Sequence, residues 1–211
     1  MVEGLMLAKA GVALGKALHK ASPQLLGQEI SDVVEKHSIG AAVAGLGVAW
    51  LPAAGSTAAL AVCAGFVWSM YFRVNSKIGV PFSKNILKSV GTAIAANLVS
   101  AVVGSLVVSA AFSLIPGLGS IAASALMAGV SFALTWSCGL VYLKVLTRFA
   151  EANVDFNNVS EEDLKAMAKD VIAKENVKEM MKQAKEQFKA AKARGDIRKD
   201  AESVKPISDE E

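Results

Sequence analysis

The sequence IPGLGS, residues 115–120, lies near the middle of 55 consecutive residues without a charged side chain, 89–143. A similar sequence, LPAAGS at residues 51–56, lies inside a second uncharged stretch of 35 residues, 38–72. At the roughly 25% charged content of an average domain, a gap of 55 residues has a chance probability on the order of 10⁻⁷ per starting point. The two stretches therefore identify the body of the protein as strongly apolar segments, each interrupted by a proline turn.

The two uncharged stretches resemble each other at a spacing of 64 residues. Shifting the sequence by that amount gives 8 identities in the 19 positions from 52 to 70. Because alanine is frequent here, the informative part is the shared proline, glycine and serine of the turns. The repeat predicts a duplicated helix–turn–helix unit. The predicted turn residues are Pro52, Gly55, Ser56, Pro116, Gly117, Gly119 and Ser120.

The turns divide each stretch into two helical arms. Proline cannot continue helical hydrogen bonding and also restricts the residue before it. The arms have about 14 and 20 residues in the first stretch and about 26 each in the second, and about 20 are needed to cross a bilayer. Alanine is the dominant residue, and apolar and polar residues do not alternate along the arms, which argues against β-strands. Four glycines are predicted to allow close helix contact: Gly91, Gly104, Gly129 and Gly139.

Charge is segregated along the chain. Residues 1–150 hold 10 Lys and Arg against 4 Asp and Glu, a net of +6, and residues 151–211 hold 12 against 15, a net of −3, which together give +3. The basic part is also the apolar part, which favours an anionic lipid surface as partner. No nucleic-acid motif is present.

Cations flank the predicted hairpins, whereas both proline turns are uncharged. If cationic links stay in the cytoplasm, both hairpins insert from that side and both termini are cytoplasmic. The aromatic residues Trp50, Trp68, Tyr71, Trp136 and Tyr142 are candidates for the membrane interface. The predicted membrane-surface cations are Lys9, Lys16, Lys20, Arg73, Lys77, Lys84, Lys88, Lys144 and Arg148.

Amphipathic helices are predicted on both sides of the hairpins. At 100° per residue, the three lysines of the N-terminal segment fall within about 40° of one another, opposite leucines. This helix packs on the bundle or lies in the headgroup zone. In the C-terminal part, Ser160 and Asn176 are predicted N-caps of helices at about 161–174 and 177–194, ended by Gly195. These helices cover the hydrophobic body, pair with each other, or bind a partner.

The fold class is therefore predicted to be all-α. Four parts are expected: amphipathic N-terminal helices (1–37), the duplicated hairpin membrane domain (38–150), charged amphipathic helices (151–195) and a disordered tail (196–211). Cys63 and Cys138 are expected to be small buried hydrophobes. No catalytic constellation, phosphate loop or metal spacing is found, so no catalytic, cofactor-binding or metal site is predicted, and an enzyme is the least favoured class.

The segments LPAAGSTAALAVCAGFVWSMYFRVNSKIGV, VPFSKNILKSV and LIPGLGSIAASALMAGVSFALTWSCGLVYL together resemble the YcjF-like domain of unknown function, over roughly residues 38–150. In that family the helical domain often follows a GTPase related to dynamins and is thought to sit in or on membranes. The resemblance implies membrane association and raises a separately encoded GTPase as a partner. It implies no catalytic residue.

Three functions remain open. The favoured hypothesis is a membrane-inserted, self-assembling hairpin protein that scaffolds or remodels an anionic bilayer. A second is a pore built from the long hairpin, although its uncharged arms offer little to line a conduit. A third is a soluble helical adaptor for a separate GTPase, which requires extensive self-assembly to cover its apolar residues.

Overall fold

The computed structural model describes the backbone of residues 5–48, 55–110 and 119–198 and the side chains of residues 6–46, 63–98 and 124–198. This part of the chain forms seven helices and no strand, which confirms the prediction of an all-α fold. The predicted turn residues Pro52, Pro116 and Gly117 lie outside the described residues. The helices are α1 (Leu5–Ala17), α2 (Pro23–Val48), α3 (Gly55–Ile78), α4 (Lys84–Ala110), α5 (Gly119–Glu151), α6 (Glu161–Lys174) and α7 (Val177–Ala193).

Helices α2 to α5 form a four-helix bundle in which consecutive helices alternate in direction. Each contacts the next helix in the chain, and α2 also contacts α5, which closes the bundle. Gly45 lies against Ala128, whereas Val34 lies against Gly139, so α2 and α5 run antiparallel. The helix termini that flank residues 49–54 and 111–118 consequently lie at the same end of the bundle.

Two of the three predicted turn glycines lie in described helices. Gly55 belongs to α3 and Gly119 belongs to α5, each directly after residues outside the described part. The side chains of Ser56 and Ser120, which follow them, lie outside the described residues. At the opposite end, Pro23 begins α2, where its missing N–H removes no helical hydrogen bond.

Helix α2 crosses an expected boundary between two parts of the chain. It is continuous from Pro23 to Val48, whereas the N-terminal helices (1–37) were expected to end before the hairpin domain (38–150). The first residues of the expected hairpin domain therefore belong to the same helix as the last residues of the expected N-terminal part.

The remaining helices cover the outside of the bundle. Helix α1 lies on α2 and α5, α6 lies on α4 and α5, and α7 lies on α5. Helices α1 and α2 approach closely, since a Cβ built on Gly11 would lie 2.8 Å from Gly27 Cα. The predicted caps are confirmed: Ser160 accepts a hydrogen bond from Asp163 N, and Asn176 accepts one from Glu179 N.

The aromatic residues that were candidates for the membrane interface lie in the core. Trp68, Tyr71, Trp136 and Tyr142 are at most 5% exposed, and Trp50 is outside the described residues. The two tyrosine rings stack at 3.8 Å between centroids. Each hydroxyl donates within the core, Tyr71 to the Cys138 carbonyl and Tyr142 to Asn75 Oδ1. The interface assignment is wrong for these four residues because packing between helices buries their apolar surface, and the polar atoms of Trp68, Tyr71 and Tyr142 have partners within the protein.

Candidate functional site

The sequence around the two proline turns contains no charged residue. We call residues 47–62 and 99–123, the central parts of the two uncharged stretches 38–72 and 89–143, the uncharged end; they comprise 16 and 25 residues. The described helix termini that flank both turns lie at one end of the bundle. Gly104 belongs to this part, so its predicted packing role falls outside the described side chains. The charged helices α1, α6 and α7 contact the bundle helices α2, α4 and α5.

The other half of the uncharged stretches is a protein core. Among the described side chains, the one exposed large hydrophobic residue is Leu25, at 58%. One described segment, Ser124–Glu151, is long and apolar enough to cross a membrane, but most of it is buried inside the protein. A core helix of a soluble protein has the same length and composition. The described apolar side chains of residues 38–150 thus mostly contact other parts of the protein and leave little surface for lipid.

The predicted cations of α1 are exposed. Leu7 and Leu14 are buried against the bundle, whereas Lys9 and Lys16 face solvent on the other side of the helix. Lys20 is also exposed but lies beyond the end of α1, so the predicted single helical face holds two lysines rather than three.

The cations between the hairpins contact neighbouring side chains. Lys77 forms an ion pair with Glu29 at 3.0 Å. The ammonium groups of Lys84 and Lys88 lie 5.9 Å from the Phe72 ring centroid and 5.0 Å from that of Trp68, both within reach of a cation–π interaction. Arg73 is exposed.

The cations after the second hairpin are paired with acids of the C-terminal helices. Lys144 contacts Glu175 at 2.5 Å and Arg148 contacts Asp170 at 2.6 Å. Both cations line a groove of about 390 Å³ together with Lys9, so the fold brings together cations that are far apart in the sequence. Intramolecular pairing reduces the positive charge that this groove offers to a membrane.

A larger groove lies between α5 and α7. Its volume is about 570 Å³, and we call it the α5–α7 groove. Three lysines of α7 surround it at spacings of four and three residues, which places them on one face of the helix. This spacing was visible in the sequence, but the apolar floor on α5 was not. The groove is lined by Ala125, Leu126, Gly129, Ala133, Asn176, Lys178, Glu179, Met181, Lys182, Lys185 and Phe188.

Three of the predicted packing glycines lie at helix contacts of different closeness. A Cβ built on Gly139 would lie 2.6 Å from a Val34 methyl group. One on Gly91 would lie 3.3 Å from Val67, and one on Gly129 would lie 3.8 Å from Phe188. Close approach therefore requires glycine at position 139, whereas position 129 has room for a methyl group.

The core also contains titratable side chains. His37 Nδ1 donates to the Val33 carbonyl at 2.7 Å, and its Nε2 lies 3.3 Å from Ser69 Oγ. The pKa of His37 is lowered from 6.5 to about 4, mainly by burial; the Val33 hydrogen bond opposes this shift, and the charge of Arg73 adds to it. The ring is thus neutral at pH 7. Within the described ranges, no group of three or more His, Cys, Asp and Glu could hold a metal ion.

The two cysteines are free thiols in the core. Burial raises the pKa of Cys63 and of Cys138, which keeps both thiols protonated at neutral pH. A protonated buried thiol is a poor nucleophile.

No family model, curated protein or solved structure matches this chain. The resemblance to the YcjF-like domain therefore stays a prediction.

Proposed function

We propose that this protein is a non-enzymatic membrane protein that inserts its uncharged end into a bilayer containing anionic lipids, from the cytoplasmic side. Copies then associate and scaffold or remodel the membrane. Insertion of the uncharged end alone replaces the sequence-based expectation that the whole of residues 38–150 contacts lipid, because most of the apolar side chains described there are buried in the protein.

The observation that carries the proposal is the segregation of charge on the bundle. The uncharged end holds 41 residues without a charged side chain, while α6 and α7 are rich in Lys, Glu and Asp. Long uncharged segments favour an apolar cover, and a membrane provides one. Gly45 lies against Ala128, and the chain from Pro116 to Ala128 is five residues longer than the chain from Gly45 to Pro52, so the second hairpin would reach deeper into the leaflet.

Insertion of helical hairpins into one leaflet also gives a physical route to remodelling. The inserted helices add area to the leaflet that they enter and none to the other. Association of many copies would increase the difference in area between the two leaflets and so bend the bilayer. The exposed lysines of α1 would strengthen the attachment, at about 1 kcal/mol for each basic residue near anionic lipid.

Flotation with vesicles tests insertion of the uncharged end. We expect the protein to float with vesicles that contain phosphatidylglycerol, and we expect Leu114→Glu with Leu118→Glu to lower the bound fraction at least tenfold. A charged side chain in hydrocarbon costs about 2.5–3.5 kcal/mol on insertion scales. Leu25→Glu is the matched control, because Leu25 is exposed and far from the uncharged end. Equal loss of flotation in both variants, or in neither, would contradict the proposal.

The extensive burial of α5 favours a second candidate, a soluble oligomer in which the uncharged ends of several copies cover one another. Such an assembly could serve as an adaptor for a separate GTPase. Light scattering without detergent distinguishes the two functions. A uniform oligomer that does not float with vesicles supports the adaptor. Protein that stays in solution only in the presence of lipid, and that floats with vesicles, supports insertion.

A further inference from the structure

The α5–α7 groove has the size and composition of a lipid-binding site. We propose that it holds an acyl chain of one anionic phospholipid taken from the membrane, while the lysines of α7 bind the headgroup. This inference rests on the proposed function, since it assumes that the protein meets a bilayer, and it adds a specific lipid site to general insertion.

The floor of the groove is apolar and open. Leu126, Met181 and Phe188 are half-buried in it, and Ala125 is exposed at its edge. Gly129 has no side chain, and the Phe188 ring passes at ordinary van der Waals distance from where a Cβ would be. The volume of about 570 Å³ falls within the ~300–1,000 Å³ that is typical of small-molecule sites. The floor can therefore accept a hydrocarbon chain.

The rim of the groove is positively charged. Lys178, Lys182 and Lys185 line it together with the single acid Glu179, which gives a net charge of +2. Lys182 Nζ lies 4.0 Å from a Glu179 oxygen, a long contact. Lysine can lay its methylene stem along an apolar wall and keep its ammonium group in water. The acyl chain of a lipid can thus contact the apolar floor while its anionic headgroup contacts the basic rim of the same groove.

The position of the groove suits a lipid at the membrane surface. Ala125 and Leu126 lie within the uncharged stretch 89–143, nine and ten residues after Pro116. A bilayer around the uncharged end would place its headgroups near the lysines of α7. The groove between α1, α5 and α6 is a weaker candidate, because acids already pair with Lys144 and Arg148 there.

Titration calorimetry with monomeric dioctanoyl phosphatidylglycerol tests the groove without a bilayer. We expect one lipid to bind per chain. Ala125→Trp should fill the groove and weaken binding at least tenfold. Lys178→Glu with Lys185→Glu should weaken it by more than tenfold, since each basic residue near an anionic headgroup contributes about fivefold. The matched control is Lys189→Glu with Lys192→Glu, two exposed lysines of α7 outside the groove, which should change affinity less than threefold.

The outcomes separate this inference from the proposed function. Vesicle flotation of Ala125→Trp should remain close to that of the unmodified protein, because flotation depends on the uncharged end. Wild-type affinity in Ala125→Trp overturns the proposal. Equal affinity for dioctanoyl phosphatidylcholine overturns the role of the lysines. A change of oligomer mass in Ala125→Trp without a change in lipid affinity also overturns it, since it would assign the groove to a second copy of the chain.

Discussion

Replacement of Gly139 by alanine is expected to destabilise the bundle at its tightest described helix contact. The new Cβ would lie 2.6 and 3.0 Å from the two methyl groups of Val34 and 3.1 Å from Met70 Sδ. Val34 is fully buried, and valine has one strongly preferred rotamer in a helix, so its side chain cannot swing aside. The helices α2 and α5 must therefore move apart.

The magnitude follows from two opposing effects. Overpacking of a well-packed core costs about 1–3 kcal/mol. Replacing a helical glycine by alanine gains up to about 1 kcal/mol in helix propensity. With the full propensity gain, the net loss is at most about 2 kcal/mol, which for a chain of this size lowers the melting temperature by up to roughly 8 °C.

Thermal unfolding followed by circular dichroism measures this change. Gly129→Ala is the matched control on the same helix, because its Cβ would meet Phe188 at 3.8 Å and keep the propensity gain. We expect this control to raise the melting temperature by roughly 2–4 °C. If Gly139→Ala is as stable as Gly129→Ala, the packing of α2 on α5 described above is incorrect.

Three further predictions concern the core, the C-terminal helices and the turn. The pKa of His37 is about 4 in the folded protein and 6.5 in the unfolded chain, so its contribution to stability is complete above pH 6.5 and is lost as the pH falls to 4. The total loss is on the order of 3 kcal/mol. Urea unfolding at pH 7 and pH 5 measures this loss, and His37→Gln should remove the difference between the two pH values. Ser160→Ala should cost about 1 kcal/mol, because the N–H of Asp163 loses its acceptor, and an unchanged urea midpoint would exclude the cap. Pro116→Ala with Gly117→Ala should favour one continuous helix over a hairpin. This change should alter either the access of a thiol reagent to a cysteine placed by Lys189→Cys, in protein bound to vesicles, or the oligomer mass. No change in either measurement would count against a hairpin.

The sequence determined the local features of this protein. The all-α class, the bounds of α6 and α7 and the caps at Ser160 and Asn176 follow from interactions between residues at most four positions apart, which the sequence contains in full.

Only the tertiary structure decided which apolar surfaces face protein. An uncharged helix has the same composition in a protein core and in a bilayer, so hydropathy could not distinguish them, and Trp68, Tyr71, Trp136 and Tyr142 were assigned to an interface although they are buried. The pairing of Lys144 with Glu175 and the α5–α7 groove likewise depend on how α7 lies on α5. Contacts between distant segments follow from the packing of whole helix faces, and no local pattern encodes that packing.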